Sequence, residues 1–428
     1  MKTRHSIPSL PMAAVLLGAY AVTASGQTAV PTTITIPPSS LATPGDAGVR
    51  SHTNVGFIGS GAMAGTPQVS GPPFAGLLFQ TPASIACIYG LVPPAAGCNP
   101  NLAETNPSGG GKAIAVVDAF DDPNAYMDLQ SFSSQFGIAA ITPASFQVVY
   151  APTGGAAPGT CTGPATAPPS AAGTGWDIEE ALDIEYTHAM APQAKIYLVE
   201  AQSSLDSDLY CAVSVAGNLV AKAGGGEVNM SWGGFEYPGE TSVDPIFTAR
   251  NVVYLAAAGD TAGVYYPSAS PNVVSVGGTA PSMNINTGRF QVETAWQDGG
   301  GGPSSYEPRP GYQNEIAFLV GSQRGTPDVS AIAATYTNAW VLDTLVFGPG
   351  AWYAVYGTSL ATVVTTGIVN AAHSFAPSSY AELSKMYSTP FGFTDIIGGS
   401  CGEYAAFLAL PGWNFCTGLG SPRGYLGK

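Results

Sequence analysis

Short continuous apolar runs alternate with amphipathic stretches over most of the chain. Ala113-Ile114-Ala115-Val116-Val117-Asp118 is one such run, closed by an acid, and it predicts a buried strand. Residues 146–150, 196–199, 228–232, 252–257 and 273–276 read the same way. Helical patterns lie between them. One follows Pro123 through Leu129 and Phe132 to Phe136, where Gly137 closes it. Others cover about 176–190, ended by Pro192, then about 204–221, and a stretch near 244–250. A last one, about 358–374, opens after Gly357 and runs through Ile368-Val369-Asn370-Ala371-Ala372. Strands alternating with helices predict an α/β fold with a mostly parallel central sheet and helices on both faces. In such folds ligands bind beyond the carboxyl ends of the strands.

The helix at 176–190 breaks with its surroundings. Trp176-Asp177-Ile178-Glu179-Glu180-Ala181-Leu182-Asp183-Ile184-Glu185 is dense in acids, in a chain that is only 10% charged. Ile178, Leu182 and Ala189 form its core stripe. Glu179 and Asp183, four residues apart, sit about 40° from one another on a second face. Exposed, such a pair is an ordinary solvated helix face. Partly buried, it titrates as a unit and holds a proton to raised pH, which suits a carboxylate that accepts a proton from a hydroxyl.

Ser359, in Tyr356-Gly357-Thr358-Ser359-Leu360-Ala361-Thr362, opens the last helix. A serine in this place is usually a cap. The same place suits a nucleophile, because helix-start N–H groups favour developing negative charge. His188 offers a second base, and the order Asp118, His188, Ser359 is that of subtilisin-type enzymes. His188 is nine residues beyond Glu179, so the two lie on roughly opposite sides of the helix and cannot serve one serine.

Composition narrows the partners. The formal net charge is −15 with only 13 Lys and Arg, which makes nucleic acid and anionic membrane surfaces poor partners. Glycine and proline make up 90 of 428 residues, so the chain is loop-rich, while 45% hydrophobic content argues against wholesale disorder. Residues 1–26 read as a secretory signal: Lys2, Arg4 and His5 precede an apolar run at 12–22, and Ala24-Ser25-Gly26 offers a cleavage site. Secretion is therefore expected, with no stable membrane insertion once the signal is removed. Residues 27–75, rich in Thr, Pro, Ser and Gly, read as a poorly ordered linker or short propeptide. Within them Val49-Arg50-Ser51-His52-Thr53-Asn54 interrupts the low complexity and fits no pattern. The folded domain is expected over residues 76–428. Six cysteines in an exported chain predict disulfides, with fifteen connectivities available. Local spacing favours Cys87–Cys98 and Cys401–Cys416, leaving Cys161–Cys211.

Three motifs together resemble the sedolisin family, the serine-carboxyl peptidases, across about residues 79–425. The first is Glu179-x-x-x-Asp183 continued by His188-Ala189-Met190-Ala191-Pro192. The second is Ala257-Ala258-Gly259-Asp260, followed by Tyr266-Pro267 and Ser270-Pro271-Asn272-Val273-Val274-Ser275-Val276-Gly277-Gly278-Thr279. The third is Gly357-Thr358-Ser359-Leu360-Ala361-Thr362. The resemblance implies a subtilisin-like fold with Ser359 as nucleophile, Glu179 as general base and then acid, and Asp183 orienting Glu179. It places Asp260 in the oxyanion hole, where it must be protonated to donate a hydrogen bond, so an acidic optimum is implied. Asp118 would extend the carboxyl network, and Trp232 matches the substrate-side strand. The resemblance also implies calcium, at Asp395, Ile396, Gly412 and Asn414. Here Asn414 stands where the family has a carboxylate. Two further departures are Val363 in place of a proline and the short stretch before the domain, where the family carries a large folded prodomain.

The leading expectation is a secreted, monomeric serine-carboxyl peptidase acting on peptides or proteins in acid. A catalytically silent relative used for binding is the alternative, and a subtilisin-type triad of Asp118, His188 and Ser359 is the third.

Overall fold

A computed structural model describes residues 33–428. The expected signal lies outside the described residues, as does the start of the 27–75 stretch. The centre is an eight-stranded sheet in the order Phe290–Ala295, Val274–Met283, Val252–Ala257, Gly226–Met230, Ala113–Ala119, Lys195–Ala201, Phe146–Tyr150, with Val329–Ile332 also pairing Val274–Met283. Its pairings are parallel except the antiparallel one made by Phe290–Ala295. The strands at 113–119 and 226–230 are buried throughout, as strands in a sheet covered on both sides are; the first is apolar up to Asp118, while the second carries Glu227 and Asn229.

One face carries the acidic helix Trp176–Met190, the serine helix Thr358–Ala371 and the helix Ala125–Phe136. The other carries Asp206–Lys222, whose Leu209, Val213 and Val220 pack on Ala115, Val117 and Val199. Ala125–Phe136 ends where Gly137 adopts a left-handed conformation (φ 66°), which a glycine reaches at no steric cost. The region near 244–250 is only a short 3-10 turn, Asp244–Phe247, and the chain then reaches Asn251 in a left-handed conformation (φ 62°). Among the described residues no helix is long and apolar enough to cross a membrane. The three disulfides join Cys87 to Cys98, Cys161 to Cys211 and Cys401 to Cys416.

The stretch expected to be a poorly ordered linker is built into the fold from residue 33 on. Ile34–Thr35 pairs with Gly56–Ile58, which pairs in turn with Trp352–Tyr356, the strand leading into the serine helix. His52–Thr53 pairs antiparallel with Trp232–Phe235. Ser51, His52, Thr53, Asn54 and Val55 are all buried. These strands are two or three residues long, so no hydrophobic period announces them; they exist because the two strands they join have free edges.

Candidate active site

Strand ends and two helices converge at one place. The serine helix begins immediately after Gly357, whose φ of 130° and lack of a side chain let the chain turn sharply from the Trp352–Tyr356 strand. Ser359, in the first turn, is fully buried. Its Oγ donates to the carbonyl oxygen of Ser231 at 2.9 Å, and its N–H donates to the carbonyl oxygen of Asn54 at 3.2 Å. The acidic helix packs directly against the serine helix, with Met190 pressed on Gly367, and carries Glu179 and Asp183 to the same region.

Glu179, Asp183 and Asp118 form a dry carboxyl cluster, all fully buried. Glu179 is held well above the ordinary carboxylate range, first by burial and then by Asp118; the Ser359 hydroxyl and Asp183 pull partly the other way. Asp183 is raised by burial, by Asp118 and by Glu179. Burial lifts Asp118, at the end of its strand, to about 8. Both oxygens of Glu179 and of Asp118 lack a fixed hydrogen-bond partner, so Ser359 and Asp183 act on Glu179 through proximity rather than through a settled bond. Three carboxyls this close cannot all ionise, so the protons belong to the group.

Asp183 is aimed by a residue that the sequence reading missed. Asn229 Nδ2 donates to Asp183 Oδ2 at 2.7 Å and to Ser231 Oγ at 2.9 Å, while Asn229 Oδ1 accepts from Thr366 Oγ1 at 2.9 Å. One side chain thus ties the strand Gly226–Met230 to both helices. The available signal was Asn229 itself, a polar residue inside a strand buried on both faces, followed by Ser231.

Asp260 follows the strand Val252–Ala257 and reaches the start of the serine helix. Its Oδ1 accepts from the Thr358 N–H and from Thr358 Oγ1, both at 2.7 Å. The residue keeps partial solvent access, as a group facing a cleft must, and the protein packed around its carboxyl pushes its pKa to about 8 against those two bonds. With Oδ1 doubly accepting, the proton of the neutral acid belongs on Oδ2. A side chain at Gly357 would collide with the Asn54 carbonyl oxygen and would meet Asp260 Oδ2 at 2.6 Å. The two oxygens therefore both lie close to Gly357, next to the Ser359 N–H that donates to the Asn54 carbonyl oxygen.

His188 is elsewhere. Its Nε2 faces the Ala139 carbonyl oxygen at 2.8 Å, and burial lowers its pKa. This is the side that the helical phase assigns it, and the arrangement Asp118–His188–Ser359 is not assembled. Trp232 is fully buried and donates to the Val117 carbonyl oxygen at 2.7 Å, so it ties the strand Trp232–Phe235 to Ala113–Ala119.

The residues expected to hold calcium come together but do not make a cation cage. Asp395 Oδ2 accepts from the Gly412 N–H at 3.0 Å. Asn414 Oδ1 accepts from the N–H of Cys416 at 3.1 Å, the N–H of Thr417 at 3.0 Å and Thr417 Oγ1 at 3.2 Å. Those donors fix the amide's orientation and leave Nδ2 donating to the carbonyl oxygens of Leu410 (3.2 Å) and Gly412 (3.3 Å). An N–H₂ group thus faces the carbonyls that a cation would need, and a carboxylate is missing. Ile396 is buried in the core beside them. These residues do not fit calcium. Asp122, Asp128 and Asp343 do bring oxygens within 4.8 Å of one another in a buried cluster. Burial raises Asp122 to about 7 and Asp343 to about 8, so protons neutralise the group in acid.

Known proteins of one family resemble this chain. The profile of the subtilase family matches residues 161–387. Kumamolisin from Bacillus sp. (strain MN-32) is 30% identical over 359 residues, 74% of this chain and 59% of that protein. Sedolisin from Pseudomonas sp. (strain 101) is 26% identical over 364 residues, 74% of this chain and 57% of that one. The chain thus spans less than two thirds of the length of these relatives. Among solved structures, Pseudomonas sedolisin, a serine-carboxyl proteinase complexed with two molecules of pseudo-iodotyrostatin, superposes with a TM-score of 0.62 at 24% identity, covering 81% of this chain and 96% of that one.

Proposed function

The chain belongs to the subtilase family and, within it, to the sedolisins, and from that premise we propose that it is a serine-carboxyl peptidase that hydrolyses peptide bonds in acid. The observation that supports the reading is that Ser359, whose N–H bonds the Asn54 carbonyl oxygen, has the buried Glu179 carboxyl on one side and Asp260 near Gly357 on the other.

Ser359 Oγ attacks the scissile carbonyl carbon while Glu179 takes its proton. The negative charge that forms on oxygen meets the Ser359 N–H and the O–H of neutral Asp260. Glu179 then gives its proton to the leaving amine. In the second half it removes a proton from water, which attacks the acyl ester and frees Ser359. Asp183, held by Asn229, keeps Glu179 oriented. Glu179 serves as base only after the carboxyl cluster has released a proton, which sets the acid limb of activity. Asp260 serves only while protonated, which sets the alkaline limb. An ionised Asp260 would repel the oxyanion. Secretion, suggested by residues 1–26, belongs to the same reading.

The test is hydrolysis of an acid-denatured protein by the purified chain. Ser359→Ala should abolish it, and Glu179→Gln should slow it by about 10²–10⁴-fold, the usual worth of a general base. Undiminished activity in either variant contradicts the assignment.

A further inference from the structure

We propose that Asp298 is a specificity-determining residue: on the leaving-amine side of the scissile bond it takes a cationic side chain, a lysine or an arginine, of the peptide being cut. The proposal deepens the peptidase reading and rests on it.

The loop that carries Asp298 is laid against the Asp260 segment by a run of glycines, Gly299 to Gly302. The Gly300 N–H donates to the Gly259 carbonyl oxygen at 2.8 Å, and the Gly301 N–H donates to the Gly263 carbonyl oxygen at 2.8 Å. The loop is thus tied to the backbone on either side of Asp260. A side chain at Gly300 would run into the Ala258 carbonyl oxygen, so this close approach needs a residue without Cβ. Trp296 anchors the other end of the loop. It is buried, its N–H donates to the Gly278 carbonyl oxygen at 3.1 Å, and its ring meets Tyr356 edge-on with centroids 6.2 Å apart. The Gly299 N–H closes the turn onto the Trp296 carbonyl oxygen at 3.2 Å. Gln297 and Asp298 are left at its exposed tip.

That tip lies within reach of the site. The charge of Asp298 acts on Asp260 and on Tyr356, the residue before Gly357, and Asp260 acts in turn on Glu179. No cation of the chain answers it. Among the described residues the ion pairs join His52 to Asp46 and Arg324 to Asp328. An exposed carboxylate is thus held by a rigid loop beside the reacting groups, with its partner left for the substrate to supply.

The side of the bond follows from two strands. Residues 52–53 pair with Trp232–Phe235, the Asn54 carbonyl oxygen accepts from the Ser359 N–H, and residues 56–57 pair with Trp352–Tyr356. The two strands therefore lie on opposite sides of Ser359. A peptide of the same polarity, with its scissile carbonyl at that N–H, carries its acyl half along Trp232–Phe235 and its leaving half past Tyr356, toward Asp298. A solvent-exposed ion pair changes an equilibrium by about two- to fivefold, so the effect is a preference rather than an absolute requirement.

The experiment measures kcat/KM at one acidic pH for peptides cut at the same bond, with Lys, Arg, Gln or Met placed in turn at the first and second positions on either side of it. Lys and Arg should be favoured over Gln by about two- to fivefold at a leaving-side position and not on the acyl side, and the preference should shrink at high salt. Asp298→Asn should bring the ratio to one, Asp298→Glu should keep it, and Asp298→Lys should reverse it. A ratio of one at both leaving-side positions in the wild type, a preference confined to the acyl side, or a preference that survives Asp298→Asn overturns the proposal and leaves the peptidase reading standing. Failure of the wild type to cleave any of the peptides overturns both.

Discussion

At the scale of single residues, the site is a set of protons held in place by burial. Asn229 shows how. It has no route to the reacting carbonyl except through Asp183 and Ser231, so it is a positioning residue. Asn229→Ala should leave Asp183 Oδ2 buried without its donor, a loss of about 1–3 kcal/mol. kcat should fall with KM nearly unchanged, and the acid limb of the pH profile should move, because the carboxyl cluster would hold its proton differently; Asn229→Asp would place a fourth acid there and should not rescue it. An unchanged pH profile with lowered stability alone would reduce Asn229 to a packing role. The proposed site residues Ser359, Glu179, Asp183 and Asp260 could be singled out in the sequence because their spacing and neighbours are local. Asn229, Ser231, Thr358 and Asn54 were not, since each matters through a partner from a distant element or through a backbone atom, which carries no residue signature.

At the scale of elements, the acidic helix was read correctly in extent and phase, and incompletely in environment. Its pattern gave a core stripe and an acidic face; in the fold every residue of Trp176–Met190 is buried. The second face meets the serine helix and the third meets Ala125–Phe136, which no single-helix period can show. Burial raises Asp118 to about 8, Glu200 to about 9, Asp122 to about 7 and Asp343 to about 8. Unfolded carboxyls lose their protons near pH 4. Between there and pH 7–9 the folded state therefore holds more protons than the unfolded one, and stability must decline as pH rises. The melting temperature should be highest near pH 4 and fall steadily toward pH 8; a rise over that range would mean that these acids are ionised and paired in the fold. The loop at 395–417 makes a second prediction. With the Asn414 amide facing the Leu410 and Gly412 carbonyls and Cys401 bonded to Cys416, chelator or added calcium should leave the melting temperature unchanged. Stabilisation by calcium would show that the amide yields to an ion.

At the scale of the whole molecule, the parallel sheet was legible because fully buried strands announce themselves as apolar runs. The same logic hid residues 33–58: strands of two and three residues paired with residues about 180 and 300 positions away leave no local period. That segment matters beyond its size, because its Asn54 carbonyl oxygen accepts the Ser359 N–H and lies close to Gly357 near Asp260. Burial pushes the Asp260 pKa to about 8, so in the proposed mechanism the neutral acid is lost as pH rises through that value. The most direct measurement is therefore kcat/KM against pH on a short peptide, for the wild type and for Asp260→Asn. An asparagine amide donates at any ordinary pH, whereas the aspartic acid donates only while neutral. The wild type should lose activity as pH climbs past the Asp260 pKa, and Asp260→Asn should keep its activity through that range. Identical alkaline limbs in the two enzymes would contradict the account.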